Sequence, residues 1–180
     1  MAKPKPLPPV ETLREYFSYD PETGIVTWTE QAAKTIRCVR AGKPAGRLSA
    51  EGYVQIAFKR KLYMAHRLIW KLKTGQEPSA QIDHKDRVRS NNRWCNLRKA
   101  SHSLNQVNRT SCAKKRLPGV SPARIGGRFC AMGLGNRIYL GTFDTEQEAH
   151  DTYVNWHREH YGEFSVYAAP DASLDPDAGS

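Results

Sequence analysis

The chain has 180 residues, with 28 Lys and Arg against 18 Asp and Glu, a formal net charge of +10 and a pI near 9.6. At 39% hydrophobic residues it can bury one modest core or two small ones, and no stretch nears the ~20 consecutive apolar residues of a membrane span. Four cysteines, Cys38, Cys95, Cys112 and Cys130, form no C-x-x-C pair, so neither a cysteine zinc site nor a disulfide framework is signalled. These totals argue for a soluble, cytoplasmic protein with reduced thiols, no membrane partner and a polyanion as its target.

Residues 1–10 are Pro-rich and read as a flexible arm. Leu13, Tyr16 and Phe17 fall at helical spacing and predict a short helix over Glu11–Phe17; Asp20-Pro21-Glu22-Thr23-Gly24 is a turn, and Ile25–Thr29 a strand. Residues 34–49 mix Gly, Pro, Lys and Arg and read as a loop or an irregular strand pair. Tyr53–Phe58 alternates, and the basic turn Lys59-Arg60-Lys61 leads into Leu62–Met64, a hairpin. Residues 11–63 thus form a small β-rich module. Ala65–Lys73 is a helix carrying Leu68, Ile69 and Leu72, ended by Gly75 and Pro78. A short strand into Ile82, a long loop, a second strand at Cys95–Arg98 and a helix from Ser101 to about Asn108 complete a ββα unit over residues 64–109.

That unit holds the densest chemistry. Asp83-His84 sets a carboxylate beside an imidazole, and Asn91, Asn92, Asn96, Asn105 and Asn108 come after it. From residue 85 to 116 ten side chains are basic and only Asp86 is acidic, a difference of +9 out of the whole surplus of +10. A general base, hard oxygen donors and a positive field in one segment suit phosphodiester chemistry on a nucleic acid. Asn91 and Asn92 read as turn residues, His66 as packing beneath the site, and His102 as a solvent or phosphate contact. Arg87, Arg89, Arg93, Arg98, Lys99, Arg109, Lys114, Lys115 and Arg116 are the candidate contacts to a duplex backbone.

Asp83-His84, with Asn96 twelve residues after the histidine and Asn105 nine further on, resembles the HNH nucleases, in the branch found as phage homing endonucleases. Ala65-His66-Arg67-Leu68-Ile69 resembles the helix leading into that motif. The resemblance implies a ββα-metal nuclease on double-stranded DNA, monomeric, with 5′-phosphate and 3′-hydroxyl products and a phage or mobile-element origin. His84 is then the general base, Asp83 and Asn105 the metal ligands, and Asn96 the residue that steadies the loop and orients the histidine. Many HNH enzymes carry His where this chain has Asn105, so the site is oxygen-rich and suits Mg2+ or Mn2+ rather than zinc.

After a basic linker at residues 110–117, residues 118–167 predict strands over Arg128–Leu134 and Arg137–Thr142 joined at Gly135-Asn136, and a helix opened by the capping box Thr145-x-x-Glu148. Gly119-Val120, Tyr139-Leu140-Gly141-Thr142-Phe143, Glu148-Ala149 and Tyr153 resemble the AP2 DNA-binding domain, a three-stranded antiparallel sheet on one helix. Arg124, Arg128 and Arg137 are its candidate DNA contacts. Residues 168–180 read as a disordered acidic tail. The expected fold class is α+β. The reading from a different functional class is a non-catalytic AP2-like DNA-binding regulator, and an RNA-binding protein is a third.

Overall fold

The computed structural model describes residues 5–107 and 117–168, apart from residues 125 and 135. It is a mixed α+β structure of small antiparallel sheets. The chain commits apolar residues to a core from its start. Leu7, inside the expected arm, is buried, its N–H donating to Glu77 and its carbonyl accepting from Lys71 Nζ. α1 (Val10–Tyr16) buries Leu13, and Phe17 turns the chain into β1 (Phe17–Tyr19), which pairs with β2 (Val26–Trp28). The Asp20 carboxylate closes that hairpin by accepting from the Glu22 N–H and the Thr23 hydroxyl. At its tip Gly24 has φ of 73°. A Cβ there would stand 2.5 Å from the Arg93 nitrogen and 2.6 Å from the Asn92 carbonyl carbon, so this hairpin rests directly on the loop that comes after Asp83-His84.

The sequence pattern does not foretell α2 (Glu30–Thr35), which Thr29 caps by accepting from the Ala32 N–H. β3 (Arg47–Leu48), β4 (Val54–Phe58) and β5 (Lys61–Met64) form an antiparallel sheet in that order. Lys59 and Arg60 turn the β4–β5 hairpin with φ of 46° and 60°, a two-residue turn built without Gly or Asn. α3 (Ala65–Thr74) begins at once, buries Leu68, Ile69 and Leu72, and ends on Gly75 in the left-handed conformation. β6 (Gln81–His84) pairs antiparallel with β7 (Leu97–Ala100), which starts two residues later than expected because Trp94–Asn96 is a 3-10 turn. That turn brings the Asn96 amide inward, where an extended strand would give it sheet pairing instead. α4 (His102–Val107) comes next.

One apolar cluster runs through Leu13, Phe17, Ile56, Leu68, Ile82 and Leu97. Residues 11–63 and 64–102 therefore share a core, and the expected boundary at 63/64 does not separate two bodies. The first compact unit instead extends to His102, and the second begins at Ser103. In the second unit β8 (Val120–Pro122), β9 (Phe129–Gly133) and β10 (Ile138–Phe143) form an antiparallel sheet with β9 in the centre. α5 (Glu146–Tyr161) packs on it through Ala149 over Ala131, and its capping box of Thr145 and Glu148 is formed at both bonds. Gly119 (φ 78°) lies against the Tyr153 ring, which leaves no room for a Cβ. Most of the expected linker and acidic tail lies outside the described residues. Among the described residues no helix is long and apolar enough to cross a membrane.

Gly24→Ala is expected to lose about 2–4 kcal/mol in urea unfolding, combining a strained backbone with a collision. Gly42→Ala is the matched control: it has φ of 74° but nothing within 4 Å of its Cβ. It should lose only about 1 kcal/mol, and equal losses at the two positions would mean the contact with residues 92–93 carries no weight.

Candidate active site

β6 delivers Asp83 and His84 as its last two residues, and the antiparallel register sets Asp83 opposite Arg98 and His84 opposite Leu97. Arg98 donates from Nε at 3.0 Å and from Nη2 at 2.9 Å, both to Oδ2 of Asp83. Both side chains are buried, so each neutralises a charge that burial would otherwise penalise heavily.

The loop from Lys85 to Asn96 is cross-linked around the Asp86 carboxylate. Asp86 accepts from the Val88 N–H at 2.8 Å, from Asn91 Nδ2 at 2.6 Å and from Asn96 Nδ2 at 2.9 Å. Asn96, fully buried, also donates to the Asn91 carbonyl and accepts the Asp86 N–H on its Oδ1, while its carbonyl accepts the Lys85 N–H. From outside, the Tyr19 hydroxyl donates to the Asn92 carbonyl at 2.9 Å and the Trp94 N–H to the Pro21 carbonyl at 3.1 Å. The β1–β2 hairpin thus grips the loop at both ends of the Asn92-Arg93 step.

Asn92 passes that restraint to the imidazole. Its Nδ2 donates to the Ser90 carbonyl, which turns its Oδ1 towards His84 Nε2 at 3.2 Å. Nε2 is then the donor, and the neutral ring carries its lone pair on Nδ1. Two further rings enclose it. His66 meets His84 edge to face, with centroids 5.2 Å apart and planes at 83°, and Tyr53 lies 5.6 Å from His66 and 6.2 Å from His84. The Arg89 guanidinium stands 4.9 Å over Tyr53 and donates to the Glu51 carbonyl, tying the loop to the β3–β4 turn.

Burial lowers the His84 pKa below the ordinary imidazole value; the Asn92 bond and the charges of Asp86 and Asp83 work against that, and Arg89 adds to it. Burial, with help from His84 and Arg67, drives His66 down to about 3. Both rings are neutral at neutral pH. A neutral, oriented imidazole can take a proton from water.

Asp83 and His84 end β6, and Asn96 closes the loop just before β7. Asn105 is half-buried on α4, among residues of the second unit. Arg87, Arg89 and Lys99 are exposed and Arg93 half-exposed, whereas Arg98 is buried and paired with Asp83. Arg109, Lys114, Lys115 and Arg116 lie outside the described residues. Arg124, Arg128 and Arg137 are exposed on the second unit, and Arg128 pairs with Asp144 at 2.7 Å. His102 is exposed, with its Nδ1 3.2 Å from Gln81 Nε2. Asn92, read from sequence as a turn residue, also contacts the His84 ring, a partnership for which its spacing of eight from His84 was the available signal.

Among the described residues no three His, Cys, Asp or Glu side chains stand together as a metal-holding group. The donors at hand are the Asp83 carboxylate and asparagine amide oxygens. That chemistry fits a hard divalent cation that keeps most of its waters and takes few protein ligands.

The family model described as HNH endonuclease matches residues 63–107, which span α3, β6, the loop, β7 and α4. Residues 63–107 are thus similar to the HNH endonuclease family over 45 of the chain's 180 residues. A solved structure, that of DNA binding and cleavage by the HNH homing endonuclease I-HmuI, is 23% identical, with a TM-score of 0.40 over 56% of this chain and 55% of that one. The likeness thus spans little more than half of that relative. No curated protein matches the chain.

Arg98→Ala should lose about 3–5 kcal/mol in urea unfolding, because it strands a buried carboxylate. Replacing both partners, Asp83→Leu with Arg98→Met, should lose much less. A stable Arg98→Ala protein with weakened, salt-sensitive duplex binding would return Arg98 to the backbone contacts.

Acid stability depends on the histidines. Unfolded, His66 takes a proton near pH 6.5; folded, not until about 3. The stability is complete above the first value and falls as pH drops towards the second, by up to about 1.4 kcal/mol per pH unit. Chemical denaturation across pH 7 to 4 should show this slope, and His66→Phe should flatten it.

Proposed function

We propose that the chain is a divalent-metal-dependent DNA endonuclease of the homing type, encoded by a phage or mobile element, that hydrolyses phosphodiester bonds with His84 as general base. The observation that carries this reading is the His84 ring itself. It is buried, neutral, held at Nε2 by Asn92 and adjacent in sequence to a buried carboxylate. Nδ1 takes the proton of the attacking water while Asn92 keeps the Nε2–H, so the positive charge that forms on the ring is steadied by the amide oxygen and by the nearby Asp86 and Asp83 carboxylates.

Asp83 and Asn105 are the residues proposed to hold Mg2+ or Mn2+; the spacing of Asn105 in the sequence supports its part. A bound cation would relieve the charge that builds on the phosphate and the leaving oxygen. Arg98, donating twice to Oδ2, keeps the Asp83 carboxylate fixed in position to serve as a hard ligand. Asn96 holds the loop that presents Asn92 to His84. The exposed Arg87, Lys99 and, on the second unit, Arg124 and Arg137 are proposed to lie along the duplex backbone. The second unit is proposed to be an AP2-like module that positions the nuclease on its target, a reading supported by its three-stranded antiparallel sheet on one helix.

Supercoiled plasmid incubated with the protein should be cut with Mg2+ or Mn2+ and left intact in EDTA. His84→Ala should slow cutting by about 10²–10⁴-fold while keeping gel-shift affinity. Unchanged cutting by that variant would remove His84 as the base, and cutting that survives EDTA would remove the metal.

A further inference from the structure

Among the buried histidines described, His66 alone has no hydrogen-bond partner. His157 Nδ1 meets Ser165 Oγ at 2.7 Å and His84 Nε2 meets Asn92. The His66 ring packs against those of Tyr53 and His84, and its side chain makes no hydrogen bond within the described residues. Yet no fully buried side-chain nitrogen or oxygen among those residues lacks a partner. The ring nitrogens of His66 must therefore reach the surface through the 8% of the residue that is exposed. An imidazole more than nine-tenths buried, whose remaining opening carries its polar atoms, is arranged to receive a partner from outside.

We propose that His66 contacts the scissile phosphodiester beside His84, its ring N–H donating to a phosphate oxygen. The proposal rests on the endonuclease reading of the same site. The neighbouring ring explains the choice of residue type. A lysine or arginine 5 Å from the general base would supply a donor and also a positive charge that weakens the base. A neutral imidazole supplies the donor without the charge. Burial keeps His66 in that neutral form at neutral pH. Its place on the first turn of α3, against a buried helix face, fixes the ring so that donation needs no rearrangement.

Two substitutions separate contact from packing. His66→Phe keeps a ring of similar shape against His84 and Tyr53 but has no N–H. His66→Gln loses the ring and keeps an N–H donor. In single-turnover cleavage of a duplex with Mg2+, His66→Phe should be slower by about 10²-fold, with Kd for the duplex changed only a few-fold. His66→Gln should recover part of the rate. A His66→Phe enzyme at the full rate, or a His66→Gln enzyme no faster than it, overturns the proposal and leaves His66 as packing.

Should His66→Phe not fold, the ring can be observed directly. In His84→Ala protein labelled with ¹⁵N-histidine, the His66 ring nitrogens should shift when duplex is added, and unchanged resonances at saturation overturn the contact. His84→Ala cleavage, run in parallel, distinguishes the two failures. Normal cutting by His84→Ala would overturn the assigned base; a dead His84→Ala beside a full-rate His66→Phe would overturn only the role of His66.

Discussion

The hydrogen bond between the Asn92 amide and the His84 ring is the constraint on which the site depends, and that bond is only as firm as the loop behind it. A loop of twelve residues between two short strands has no regular ladder of its own. Here it is held by a carboxylate at its centre, Asp86, with three donors on it, and by Asn96, which uses every polar atom of its side chain inside the loop. The remaining restraint arrives from far away in the chain, through Tyr19 and Pro21 of the first hairpin. The His84 ring is thereby fixed by a segment more than sixty residues upstream.

The electrostatics of the site divide into two zones. Inside, Asp83 and Arg98 cancel one another, Asp86 is saturated by amides and a backbone N–H, and the two imidazoles are kept uncharged by burial. Outside, the loop and β7 present Arg87 and Lys99 to solvent. This division is what a polyanion-cutting enzyme needs. Positive charge where the polymer lies gives affinity, while positive charge against the base would remove its proton-accepting power.

Much of this was legible in the sequence, because it rested on local rules. The Asp83-His84 pair, the asparagine spacing, α3 with its Leu68, Ile69 and Leu72 stripe, and the Thr145–Glu148 cap all depend on neighbours a few residues apart. The features that were not legible rested on distant partners. Arg98 reads as one more surface arginine until β6 and β7 pair and place it opposite Asp83. Asn92 reads as a turn residue because turns favour asparagine, and only the ring eight residues earlier gives it a further role. Leu7 reads as part of an arm because its prolines suggest one, although α3 and Glu77 offer it a pocket and partners. β1 and α2 escaped because each is too short for its periodicity to register.

The shared core of the first unit bears on how such a nuclease could be transplanted. The segment that carries the family signature begins at Tyr63, but Leu7, Leu13, Phe17 and Ile56 belong to the same apolar cluster as Leu68 of α3 and Ile82 of β6. A chimera built by splicing the signature alone onto a foreign targeting protein would expose that apolar underside and leave the loop from Lys85 to Asn96 without its brace. Recombination among such enzymes should therefore tend to exchange the segment beyond His102 and to inherit everything before it as a block.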